Sequence, residues 1–129
     1  MGQLITGGWQ ALADLRAAGL IKGIGVGINP LGMIPRFLDL FDPDFFLLAG
    51  RYTLLEQEAL ATELPACVER GVGIVIGAVF NSGLGATGPV PGARYDYRPA
   101  TPPELAKAAR IEAICRLCWL VDSSVDARP

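Results

Sequence analysis

Three short apolar runs, each led in by a stretch with helical periodicity, restrict this chain to an α/β arrangement more firmly than any other feature. The runs are Ile21–Ile28 (IKGIGVGI), Phe45–Gly50 (FFLLAG) and Val72–Phe80 (VGIVIGAVF). Each is rich in aliphatic, aromatic or β-branched residues and punctuated by glycine, the pattern of a buried strand rather than of a half-solvated one. Strands separated by helices pair in parallel through right-handed crossovers. Both faces of such strands are therefore expected to be covered. Three parallel strands leave two unpaired edges, so the sheet is expected to be completed elsewhere, or the chain to be a piece of a larger fold.

The helical segments have legible ends. Trp9, Leu12 and Ala13 share one helical face, and Gly19 stands where a left-handed residue stops the helix. Pro35 suits the first turn of a short helix carrying Phe37, Leu38 and Phe41, which Pro43-Asp44 breaks. A further helix closes on LPACVERG, with Gly71 as its stop. Between Asn81 and Ala100 the chain carries four glycines and three prolines, and a connection that long in a compact domain is usually functional. Thr101-Pro102-Pro103-Glu104 has capping-box spacing and opens a helix predicted to bury Leu105, Ala108, Ile111, Cys115 and Cys118. From Asp122 to Pro129 the sequence reads as a frayed polar tail.

Charge and composition exclude several classes. A net charge of -2 offers no basic stripe for a phosphate backbone and no polybasic patch for a membrane. The apolar runs fall far short of the roughly 20 residues a membrane-spanning helix needs. The opening MGQLITGG lacks the features of a signal peptide, and three cysteines make no disulfide framework, so a cytoplasmic location is expected. The chain contains no histidine, which removes imidazole bases and histidine metal ligands from its own chemistry.

Candidate motifs mostly resolve to structural roles. The glycines of Gly23, Gly25 and Gly27 miss the dinucleotide-loop spacing and lie within a strand instead of opening a helix; close packing inside a barrel accounts for them better. Cys115 and Cys118 have CxxC spacing but no second ligand pair, and they sit far from a helix N-terminus; a place on a core stripe is expected. Asp39, Asp42, Asp44, Glu56 and Glu58 read as solvated surface. Ser82 has no base to form a triad. The segment Arg94–Arg98 reads equally as a recognition patch or as a loop pinned by Tyr95 and Tyr97.

The wording of the sequence carries a resemblance. ALADLRAAGLIKGIGVGIN, DPDFFLLAGRYTLLEQEAL, LPACVERGVGIVIGAVFNSGLGATG and YDYRPATPPELAKAARIEAIC follow one another as strands five to seven of the aldo-keto reductases do, with their helices. AGRYTLLEQ and VFNSG resemble the branch of L-fucose, D-threo-aldose and pyridoxal 4-dehydrogenases. The resemblance implies a partial (β/α)8 TIM barrel spanning residues 1–129, with 116–129 a divergent tail where the match ends. It implies hydride transfer between NAD(P) and an aldose or related carbonyl or alcohol, with the site at the C-terminal strand tips.

Position by position, the resemblance puts Asn29 against the nicotinamide carboxamide and Phe80, or its neighbour Val79, on the nicotinamide ring. It puts Asn81, Ser82, Gly83 and Leu84 in the loop that holds the pyrophosphate. The family's glutamine on the next strand falls on Leu47. The catalytic Asp, Tyr, Lys and His of the family belong to earlier strands and match nothing here, so no catalytic and no metal residue is assigned. The expected partners are a small sugar or carbonyl substrate, and either the missing N-terminal barrel half or a second copy. A truncated or frame-disrupted gene product is the expected origin, inactive alone. The alternative is a small α/β binding or interaction domain that self-associates.

Overall fold

A computed structural model describes the backbone of residues 7–125 and the side chains of residues 7–117. The chain divides into two compact units. One holds the residues up to Tyr52 together with Gln57–Gly77; the other holds Thr53–Glu56 and the residues from Ala78 onward.

The first unit comprises α1 (Trp9–Ala17), β1 (Gly25–Ile28), α2 (Met33–Leu38), β2 (Phe45–Ala49), α3 (Glu63–Arg70) and β3 (Gly73–Gly77). The three strands form a parallel sheet in the order β1-β2-β3. Sequential order with helical crossovers is the arrangement of successive β/α units in a (β/α) barrel.

The pleat divides the sheet cleanly. Register aligns Val26, Phe46 and Ile74 on one rung and Ile28, Leu48 and Ile76 on another. These residues point to the face that α2 and α3 cover, where they build a core with Ile34, Phe37, Leu38, Ala59 and Cys67. The opposite face carries Gly25, Gly27, Phe45, Leu47, Gly73 and Val75. Phe45, Leu47 and Val75 there remain 40%, 41% and 49% exposed. The expectation of strands buried on both faces is corrected: one face is covered and the other is open. The strands look uniformly apolar because both faces carry aliphatic residues, whereas only one has a partner within the described residues.

The strands are also shorter than the apolar runs. Gly25 pairs with Phe45 on the first rung, and Asp44 turns its Oδ2 back to accept the Ile24 N–H at 2.6 Å, so Ile21–Ile24 have no strand to join. Asp44 Oδ2 also accepts from Arg16 at 2.8 Å. The Ile24 N–H, followed by the Arg16 guanidinium, holds the Asp44 carboxyl below its ordinary value. The acidic residues assigned to solvated surface are thus partly engaged, Asp39 with Arg70 and Asp42 with Arg16. At the other end, Ala49 and Gly77 form the last rung, and Ala78 leaves the strand at φ 51°. Val79 and Phe80 therefore lie beyond β3.

The predicted glycine stops hold. Gly19 and Gly71 are left-handed, at φ 71° and 65°. Gly25 lies under the Phe45 ring, so close that an added Cβ would displace it. That agrees with the close-packing account at Gly25, whereas Gly27 has open space where a side chain would stand; no helix opens on either.

The second unit comprises α4 (Leu84–Thr87), the hairpin β4 (Arg94–Tyr95) and β5 (Arg98–Pro99), and α5 (Pro102–Val125). Its core joins Leu55, Leu84, Tyr95 and Ala108, with Leu105 and Ile111 packed at the edge. Cys115 is exposed, which corrects its predicted burial: it borders an open pocket of about 250 Å³ between α4 and α5. The Cys118 side chain lies outside the described residues. Backbone helix continues to Val125, past the Asp122 boundary expected for a frayed tail, since neither glycine nor proline interrupts Leu117–Val125. Residues 126–129 lie outside the described part.

Half of the capping box forms as spaced. The Thr101 N–H donates to Glu104 Oε2 at 2.7 Å, while Arg98 donates to both oxygens of Glu104. The Arg98 guanidinium leads in holding the Glu104 carboxyl down to about 2 from an ordinary 4.5. A folded value below the unfolded one stabilises the charged form of the native state. This contribution is complete above pH 4.5 and lost as pH falls through about 2. Acid titration followed by α5 helicity is expected to show that loss, and Glu104→Gln is expected to flatten it.

Candidate functional site

Two places at the C-terminal ends of the strands carry the residues singled out by the sequence, one in each unit. In the first unit the backbone turns out of β1 at Asn29, an exposed residue followed by Pro30. Arg51, two residues beyond the end of β2, reaches Asn29 with both arms of its guanidinium. Its Nε donates to the Asn29 carbonyl at 3.1 Å and a terminal nitrogen donates to Oδ1 at 2.8 Å. Parallel register brings these strand tips side by side: Ile28 pairs with Leu48, which places Asn29 and Arg51 on neighbouring exits.

The turn after Asn29 is anchored from below. Gly32, at φ 75°, heads α2, and its N–H donates to Oε1 of the fully buried Glu63, while the Thr62 hydroxyl donates to Oε2. A carboxyl inside an apolar core is costly unless its oxygens are satisfied. Here they tie the first turn of α3 to the segment that carries Asn29. One turn along α3, burial pushes the Cys67 thiol up, and the Glu63 charge adds to the effect; this cysteine is an inert core residue.

In the second unit Phe80, Asn81, Ser82, Gly83 and Leu84 follow one another through a single 3₁₀ turn that runs into α4. The turn is built from backbone that side chains rarely adopt. Asn81 and Ser82 sit at φ 47° and 58°, and Gly83 at φ 110°. Asparagine tolerates this region, but at Ser82 it costs about 1–2 kcal/mol, and such strain concentrates at functional sites. Asn81 is buried and its Oδ1 has no hydrogen-bond partner among the described residues. Phe80, at the head of the turn, is 59% exposed. Gly83 accepts no substitute readily. Gly83→Ala is expected to destabilise the second unit by about 1–2 kcal/mol or more, read by urea denaturation, because its φ lies beyond even the left-handed helical well.

The long connection is a structured element, which the sequence reading missed. Asp96 and Tyr97 both have positive φ, 48° and 66°, and close a two-residue hairpin between β4 and β5. The two aromatics of Arg94–Arg98 are placed differently. Tyr95 is buried and its hydroxyl donates to Glu56, whereas Tyr97 is 75% exposed. The Tyr97 N–H donates to Ser82 Oγ at 2.9 Å, fastening the hairpin to the strained turn. Since Ser82 Oγ accepts there, its own O–H stays available as a donor. Arg51 and Glu63 were also missed: neither spacing nor residue type marks a surface arginine as a clamp or a helix-start glutamate as a core anchor. Leu47, the position matched to a family glutamine, lies on the open face of the sheet.

No group of three or more acidic, cysteine or histidine side chains is placed to hold a metal ion among the described residues. Nor is any described helix long and apolar enough to cross a membrane.

Parallel strands in sequential order, joined by helices, put the first unit in the α/β class. Comparison with known sequences sharpens it: over most of its length the chain is homologous to part of the aldo-keto reductases. It is 43% identical over 109 residues to pyridoxal 4-dehydrogenase of Microbacterium luteolum, a match covering 84% of this chain and 32% of that enzyme. It is 46% identical over 110 residues to D-threo-aldose 1-dehydrogenase of a Pseudomonas species, covering 84% and 33%. The chain thus spans about a third of the length of the curated relatives it matches. Their greater length is consistent with a partial barrel. No family model matches the chain.

Proposed function

We propose that this chain supplies the nicotinamide- and pyrophosphate-facing segment of an NAD(P)-dependent aldo-keto reductase-type oxidoreductase acting on an aldose or a related carbonyl or alcohol. The observation that carries the reading is the Arg51–Asn29 arrangement. It leaves an exposed amide donor at a strand tip, where a carboxamide oxygen would be met. Phe80 offers an uncovered ring for stacking, and the Ser82 hydroxyl suits a phosphate oxygen, while the Asn81 and Gly83 N–H groups already donate to the Ala78 and Phe80 carbonyls. These residue types fit a nicotinamide dinucleotide. When bound, that group supplies the hydride acceptor and donor.

What this chain's residues do is hold and orient. Proton transfer at the substrate oxygen needs a tuned acid or base, and no residue here matches the family's tetrad. The chain alone is therefore proposed to be inactive. Exchanging this chain for the matching third of the Pseudomonas D-threo-aldose dehydrogenase tests the reading. The chimera is expected to oxidise an aldose with NAD(P), and the isolated chain to give no turnover. A folded chimera that fails to bind cofactor would refute the assignment.

A second reading is favoured by one feature, the open sheet face with Phe45, Leu47 and Val75 half exposed. An apolar face of this kind is covered either by the rest of a barrel or by a second copy. A discrete oligomer with cooperative unfolding, measured by analytical ultracentrifugation and calorimetry, would support a self-associating interaction domain.

A further inference from the structure

We infer that Arg51 is a positioning residue that fixes the orientation of the Asn29 amide, so that its NH2 group and not its oxygen faces a ligand at the strand tips. An asparagine amide has two orientations of nearly equal shape related by a flip. A guanidinium carries donors only, so it accepts just one of them, with Oδ1 toward the cation. The structure shows that arrangement: one arm holds the Asn29 carbonyl at 3.1 Å and the other holds Oδ1 at 2.8 Å. Two contacts to a single residue fix backbone and side chain together, which a point charge could not do. Flipping the amide would set its NH2 against the guanidinium. Nδ2 makes no hydrogen bond among the described residues, and Asn29 is exposed. The outward group is consequently a pure donor. It recognises an acceptor, either a carboxamide carbonyl or a carboxylate, and does not recognise an amide NH2.

This inference rests on the reading of Asn29 as a nicotinamide contact, and the test separates the two. The full chain, labelled with ¹⁵N, is titrated with nicotinamide mononucleotide and with nicotinic acid mononucleotide while the Asn29 side-chain NH2 resonances are followed. Before any ligand is added, the wild-type pair is expected to be rigid and well resolved. In Arg51→Leu and Arg51→Lys it is expected to become mobile. Both probes are expected to shift the wild-type pair, with the acid form bound at least as tightly as the amide. In both variants affinity is expected to fall about tenfold, and the tolerance of the acid form to disappear.

Arg51→Lys is decisive because it keeps the charge and loses the fork. If it retains the wild-type Asn29 signal and the wild-type preference, charge alone is acting and the inference is overturned. If Asn29 is equally rigid in Arg51→Leu, Arg51 does not position it. If Arg51 restrains Asn29 but neither mononucleotide shifts it, the nicotinamide reading fails while the positioning role stands.

Discussion

Replacing Phe46 by alanine is expected to remove about 3–5 kcal/mol of stability and to leave the first unit largely unfolded. Phe46 is fully buried on the central strand, flanked on its rung by Val26 and Ile74 and met edge-on by Phe37 at 6.4 Å between ring centroids. Paired strands flank it on both sides, so the cavity would be walled by hydrogen-bonded backbone. Domains of this size hold about 5–15 kcal/mol in total, and here the open face of the sheet leaves Phe45, Leu47 and Val75 only partly buried. The measurement is urea unfolding followed by tryptophan fluorescence in a Trp119→Phe background, since Trp9 packs against Phe41 in a tilted pair with centroids 4.7 Å apart within the same unit. Phe45→Ala is the control. It lies next in sequence but on the open face, and is expected to cost under about 1 kcal/mol.

The second large effect is expected at Glu63. Glu63→Ala removes the acceptor of the Gly32 N–H and of the Thr62 hydroxyl, and leaves a hole in the core beside Cys67. A cost of about 2–4 kcal/mol follows from the hydrogen bonds lost and the volume vacated. Glu63→Gln keeps the oxygen that serves Gly32 and most of the volume, and is expected to lose under half as much. Hydrogen exchange at Gly32 and Met33 is expected to accelerate in the alanine variant before global unfolding. If it does not, the carboxyl is not what anchors the Asn29 turn.

Much of the fold was legible because the dominant signals were local. Apolar runs announced three strands, and Gly19 and Gly71 ended helices where left-handed backbone was needed. Strand lengths were not legible, because a strand ends where its neighbour stops offering partners. Ile21 and Ile24 are β-prone and extend the run, yet β2 begins opposite Gly25. The open face was hidden for a related reason: Leu47 and Leu48 look alike in sequence, and only the pleat separates the covered from the uncovered. Cys115 was read as core from helical spacing alone, whereas it is exposed at the edge of the pocket between α4 and α5.

The candidate site residues came from the resemblance and not from composition or spacing. The resemblance singled out Asn29 and the Phe80–Leu84 turn, and the positive φ gathered at Ala78, Asn81 and Ser82 gives that turn a physical peculiarity that composition could not reveal. The Arg51 clamp depends on two residues 22 apart in sequence meeting at adjacent strand ends, which no spacing rule anticipates.

This chain is proposed to supply groups for a nicotinamide dinucleotide, in each of its units, without the residues that move the proton. Hydrogen exchange by mass spectrometry on the full chain, with and without saturating NADP+ or NAD+, tests it most directly. Protection is predicted in two stretches, around Asn29 and across Phe80–Leu84, with no turnover of any aldose in the same samples. Protection confined to other segments, or NAD(P)-dependent oxidation of sugar by the isolated chain, would contradict it.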